Sequence, residues 1–222
     1  MNMNRIPLFP LNTVLFPGGI LPLKIFEPRY LQMISNCMRS NSGFGICLIR
    51  EGQEAGGPAE IHPVGTYVEI VDWEKRADGL LGILVHGERR FRVRNHYNEK
   101  NGLMMGEIEY LPRLQHVVIP EEFRSLSDML ARIKKEIGPP YDRLEIHLDV
   151  AAEVGARLTE LLPLEAEIKQ SILEMDDALS RLYALRDAMR DIKMASGKRS
   201  RSEQYFFRLS LFVSFQASGR CQ

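Results

Sequence analysis

Residues 6–34, IPLFPLNTVLFPGGILPLKIFEPRYLQMI, are mostly apolar yet broken by Pro7, Pro10, Pro17, Pro22 and Pro28. Proline lacks a backbone donor and clashes with the preceding helical turn, so no helix can run from Pro7 to Pro22. The pattern predicts two short extended pieces joined through a reversal at Gly18-Gly19. After Pro28 the apolar positions Leu31, Ile34 and Met38 recur at three and four, a short helix with proline in its first turn. Residues 44–50, 65–73 and 80–87 are rich in branched and aromatic side chains and read as strands. In residues 90–97, Phe91, Val93 and Tyr97 alternate with Arg90, Arg92, Arg94 and His96, a strand with one buried and one wet face. Residues 98–102 form a turn into a last strand at 104–111. This makes six or seven strands, and a small closed barrel avoids the exposed edges of an open sheet. Residues 51–60 form a glycine-rich polar loop.

Past Pro112 the period becomes helical. Phe123, Leu126, Leu130, Ile133 and Ile137 predict one helix, stopped by Gly138-Pro139-Pro140. Leu144, Leu148, Ala151, Leu158 and Leu162 predict a second, interrupted at Gly155. Ile168, Ile172, Met175, Leu179, Leu182 and Met189 predict a long third, with Arg186 on its apolar seam. Short connections favour antiparallel packing of the three into a bundle. The fold class is therefore α+β: a β-barrel lobe over 1–112, a helical lobe over 113–195, and a basic, then apolar, tail over 196–222 that resembles nothing before it.

Composition narrows the function. The 222 residues are 45% hydrophobic and 26% charged with no net charge, an ordinary globular balance that argues against nonspecific nucleic-acid binding. Cys37, Cys47 and Cys221 form no CxxC pair. Their odd number and the apolar surroundings of the first two fit reduced thiols in a cytoplasmic protein. The longest unbroken apolar pieces of the opening stretch are too short for a membrane span or a signal peptide.

Catalytic signatures are missing. The phosphate-loop pattern GxxxxGK[ST] fails around Gly197-Lys198, HExxH and GxSxG do not occur, and His86-Gly87-Glu88 lacks the PCxxC partner of zinc deaminases. The sequence implies no metal and no cofactor. Arg90, Arg92 and Arg94 are the best basic feature. They can be read as nucleic-acid contacts, or as a solvated strand face paired with Glu107 or Glu109 on its neighbour.

Three stretches together resemble one family. The 6–34 stretch, GERRFRV at 87–93 and LPLEAEIKQSILEMDDALSRLYAL at 162–185 are similar, in order and spacing, to the N-terminal domain of Lon proteases, found also as free-standing bacterial proteins. The resemblance covers roughly residues 5–190 and implies a PUA-like β-barrel followed by a helical bundle. Pro10, Leu11, Pro17, Gly18, Leu23, Phe26, Glu27, Arg29 and Tyr30 fall on its first motif. Most of these read as fold determinants, with Glu27 and Arg29 pairing and bonding backbone around the bend. Full Lon proteases continue into ATPase and Ser–Lys protease modules, whose motifs this sequence lacks. The resemblance thus implies a non-enzymatic module that binds unfolded or tagged polypeptides, in company with a proteolytic machine. The contact surface expected for it is the cleft between barrel and bundle, with Phe16 and Tyr30 read either as contact residues or as plain core. An RNA-binding module using Arg90, Arg92 and Arg94 is the alternative.

Overall fold

Proline and glycine placement decides how the chain begins, and it does so in the order expected. The computed structural model describes residues 4–54, 59–141 and 144–196, with side chains to Asp191. The tail from Gly197 onward lies outside the described residues. The chain divides into two units between Arg113 and Leu114.

The first unit runs β1 (Asn4–Leu11), β2 (Ile20–Ile25), α1 (Pro28–Ser40), β3 (Phe44–Glu51), β4 (Glu60–Ile61), β5 (Val64–Lys75), β6 (Leu81–Asn98) and β7 (Met104–Tyr110). Strand β1 is antiparallel to β7 through Asn4–Leu8 and parallel to β3 through Leu8–Leu11. With β3 on β5, β5 on β6 and β6 on β7, the pairing path returns to its start. Closure gives β1 a partner along its whole length, β7 for its first half and β3 for its second. Its period of two then feeds two clusters. Ile6 and Leu8 join Cys47, Ile61, Phe91, Met104 and Ile108, while Phe9 and Leu11 join Tyr30, Met33, Ile34 and Cys37 of α1. The Phe91 ring fits because Gly45 and Gly65 carry no side chain: a Cβ on either would stand 2.6 and 2.8 Å from it.

The strands expected at 80–87 and 90–97 are one 18-residue strand, β6. Its first half pairs with β2 and its second with β7, on the same edge. Gly87, which in the sequence looks like a break, sits between them. It exchanges backbone bonds with Gly18 and Gly19, and a Cβ there would lie 2.5 Å from the Phe16 carbonyl oxygen. The total is still seven strands because two-residue β4 emerges from the expected loop.

The second unit holds α2 (Arg124–Glu136), α3 (Ala151–Leu161), α4 (Ala166–Glu174) and α5 (Ala178–Ser196), with a 3-10 turn at Glu121–Phe123 ahead of α2. Helix α3 starts later than its apolar spacing predicts. Val150 bridges to Val118, and Ile119 and Asp149, Ala151 and Val117 share backbone hydrogen bonds, so these groups are unavailable to a helix. Gly155 is no interruption; it lets Leu182 of α5 approach. The long third helix is two. Asp177 accepts the Ser180 N–H at 2.7 Å as an N-cap, and the buried Arg181 guanidinium donates to the Leu173 and Met175 carbonyls at the end of α4. Arg186 lies over Phe123 and Tyr183 at 4.9 and 4.8 Å and pairs with Glu122.

Candidate functional site

Four residues of the first motif, Pro10, Glu27, Arg29 and Tyr30, converge on one groove of about 490 Å³ in the first unit. Pro10 arrives on β1. Pro28, pre-set for the first helical position, turns the chain so that Glu27, Arg29 and Tyr30 open α1 together. The opposite wall is Asn98, Asn101 and Gly102 of the β6–β7 turn, with Met104; Gln53, Glu54 and Ala59, flanking the loop after β3, complete it.

Arg29 ties the walls together. Its Nη2 lies 2.9 Å from a Glu27 carboxylate oxygen, its Nη1 donates to the Gly102 carbonyl at 2.9 Å, and its guanidinium carbon lies 4.6 Å from the centre of the Tyr30 ring. Glu27 and Arg29 thus pair as expected, but the backbone group held is 73 residues away in sequence. The Tyr30 ring packs at 4.1 Å on Phe9. Burial pushes its hydroxyl above the usual phenolic range, with the Arg29 charge opposing. Glu54 accepts the Asn12 N–H, and Asn101 holds the Leu103 N–H at 2.9 Å. The lining offers carboxylates, a guanidinium and amide side chains of the kind that bond a polypeptide main chain, beside apolar Pro10, Pro28 and Met104.

The other expected contact residues are placed differently. Phe16 is fully enclosed and has no surface to offer a partner. Tyr30, 5% exposed, contributes only its edge to the groove wall. The arginine row is not a wet face throughout. Arg90 is buried where the chain leaving β7 crosses it, with its carbonyl accepting from Leu111 and its guanidinium reaching the Pro112 carbonyl. Arg92 is half-buried, and exposed Arg94 is paired with Glu109 on β7. Sequence reasoning missed Gln53, Glu54, Asn98 and Asn101; single polar residues in separate loops leave no periodic or motif signal. No three His, Cys, Asp or Glu side chains among the described residues could hold a metal ion, and no described helix is long and apolar enough to cross a membrane.

Strands closed on themselves, a following set of helices and an open polar groove define a mixed α+β domain. The family described as the ATP-dependent protease La (LON) substrate-binding domain matches residues 5–191, and the chain belongs to that family. The Lon N-terminal domain protein from Xanthomonas campestris is 37% identical, with a TM-score of 0.70 over 83% of this chain and 98% of that one. The N-terminal domain of Mycobacterium avium complex Lon protease shares the fold at 20% identity and a TM-score of 0.57, covering 85% and 99% of the two chains. Lon protease of Vibrio parahaemolyticus is 26% identical over 204 residues, 85% of this chain and 25% of that protein. The chain thus spans about a quarter of the length of the curated relatives it matches.

Proposed function

We propose that this chain is a non-catalytic recognition module that binds unfolded or tagged polypeptides through the groove at Arg29 and serves a proteolytic machine. The observation that carries the reading is the family match over residues 5–191, a substrate-binding domain by description. The groove supports it. Four first-motif residues form its wall, and Gln53, Asn98 and Asn101 offer amide groups to a bound main chain.

The test is fluorescence anisotropy with a labelled unfolded polypeptide and a labelled RNA at low and moderate salt. Saturable polypeptide binding that survives salt and is lost in Asn98→Arg, which fills the groove from an exposed turn, is the expected result. Polypeptide binding unchanged by Asn98→Arg removes the groove from the reading. RNA binding alone, steeply salt-dependent, overturns the reading itself.

A further inference from the structure

Trp73, the only tryptophan of the sequence, is 57% exposed, and its exposure has a traceable origin. Strand β5 pairs with β3 only as far as Val68, so from Glu69 to Lys75 it is bonded on one side, to β6. Its register on β6 jumps between Ile70↔Val85 and Asp72↔Leu84, a bulge at Val71. Partners across a ladder share a face. The extra residue therefore sets Trp73 opposite buried Ile83, on the core-facing side, where Asp72 would otherwise stand.

A groove of about 250 Å³ lies between this strand and the C-terminal end of α1. Met38, Val71 and Trp73 are its apolar walls, 42%, 55% and 57% exposed. The charged residues lining it, Glu69 and Asp72, are both acidic, and neither belongs to an ion pair among the described residues. The helix end adds partial negative charge. Arg39, the cation of that last turn, is held by Asn36 and the Ser35 carbonyl. Asp72 also accepts the Trp73 N–H at 2.8 Å, which with the bulge blunts the bare edge against simple strand pairing. What is left is recognition by side chains, in a site of one sign.

We propose that this groove docks a basic segment of a polypeptide partner. A guanidinium or ammonium group enters along the bare edge of β5, with the Trp73 ring on one face of the strand and the Glu69 and Asp72 carboxylates on the other, and an apolar side chain packs against Met38. The surface shares no lining residue with the groove at Arg29. It rests on the proposed function only in taking the partner to be a polypeptide.

The single tryptophan makes the test direct. The full chain is titrated with a short alternating Arg-Leu peptide and with a Glu-Leu peptide of equal length, reading Trp73 emission and the anisotropy of labelled peptide. The Arg-Leu peptide shifts Trp73 emission saturably, the Glu-Leu peptide does not, and Glu69→Gln/Asp72→Asn binds the first roughly tenfold more weakly. Circular dichroism and melting confirm that this isosteric double variant is folded. Asn98→Arg keeps the Trp73 response whatever it does to unfolded polypeptide, which separates the two sites. Equal affinity in the double variant, or Arg-Leu binding that leaves Trp73 emission unmoved, overturns the proposal, as does absence of binding.

Discussion

Replacing Arg29 by methionine keeps most of the side-chain volume and removes the charge that joins α1 to the β6–β7 turn. Three interactions disappear. The charged hydrogen bond to the Gly102 carbonyl is worth about 1.5–3 kcal/mol, and the stacking on Tyr30 about 0.5–1 kcal/mol. The third is the pair with Glu27, whose side chain and that of Arg29 are 19% and 17% exposed. Losing it strands a carboxylate that is largely desolvated, though the N-terminus of α1 beside it offsets part of that cost. The first two alone sum to about 2–4 kcal/mol, and the stranded carboxylate adds to that. Urea unfolding followed through Trp73, which lies in the same unit, measures the loss. Hydrogen exchange locates it: the Gly102 amide, bonded to Glu99, and the Glu99 amide, bonded to Leu103, should lose protection first. Arg29→Lys should recover less than half of the loss, because one ammonium cannot hold Glu27, Gly102 and the ring together. A loss below about 1 kcal/mol with unchanged exchange over residues 98–103 would show that the turn is held by its own bonds and refute the reasoning.

Phe91→Ala should cost about 3–5 kcal/mol in the same urea assay, since the ring fills space that Gly45 and Gly65 leave open and small neighbours cannot collapse into it. Arg94→Ala, which breaks a pair whose side chains are 54% and 47% exposed, should cost less than about 1 kcal/mol. Lys169 donates to the Glu160 carbonyl, and burial lowers its pKa from 10.5 to about 8, so charge on it is disfavoured in the folded state. The penalty is complete below pH 8 and gone above 10.5. Wild type should therefore gain on Lys169→Met by up to roughly 3 kcal/mol across that window, and a flat difference between their urea midpoints would contradict this. The Cys47 thiol, buried and with its pKa raised by desolvation, should react with a thiol reagent only on unfolding.

What could be read in the sequence was whatever local rules decide. Prolines fixed the extended pieces and the start of α1, and helical spacing fixed α2. The errors fall where a distant group overrides a local signal. Gly87 looked like an end to a strand because glycine often is one. Here it lets the Phe16 carbonyl approach an uninterrupted strand, and that carbonyl lies 71 positions earlier in the chain. The break between α4 and α5 did carry a local mark, Asp177 three residues before Ser180, but the apolar spacing across it continues in phase and hides it. Arg181, which satisfies the end of α4, reads from sequence as one more polar residue on a helix.

The two grooves show the same division. A motif in a single sequence cannot tell a fold residue from a contact residue, since both are apolar or paired. In the proposed site the two would coincide: the Arg29 guanidinium that holds the β6–β7 turn is also groove wall. Glu69, Asp72 and Trp73 fall under a different rule. Which face a strand residue occupies follows from register, and a bulge of one residue at Val71 inverts it. Alternation alone could not place the indole, whereas the ladder can. The folding constraint on Trp73 is accordingly weak, because its ring is more than half in water. Trp73→Ala should leave stability nearly unchanged while removing the Arg-Leu peptide's anchor. A large loss of stability instead would make the exposed indole a structural element and take away the reason to look for its partner.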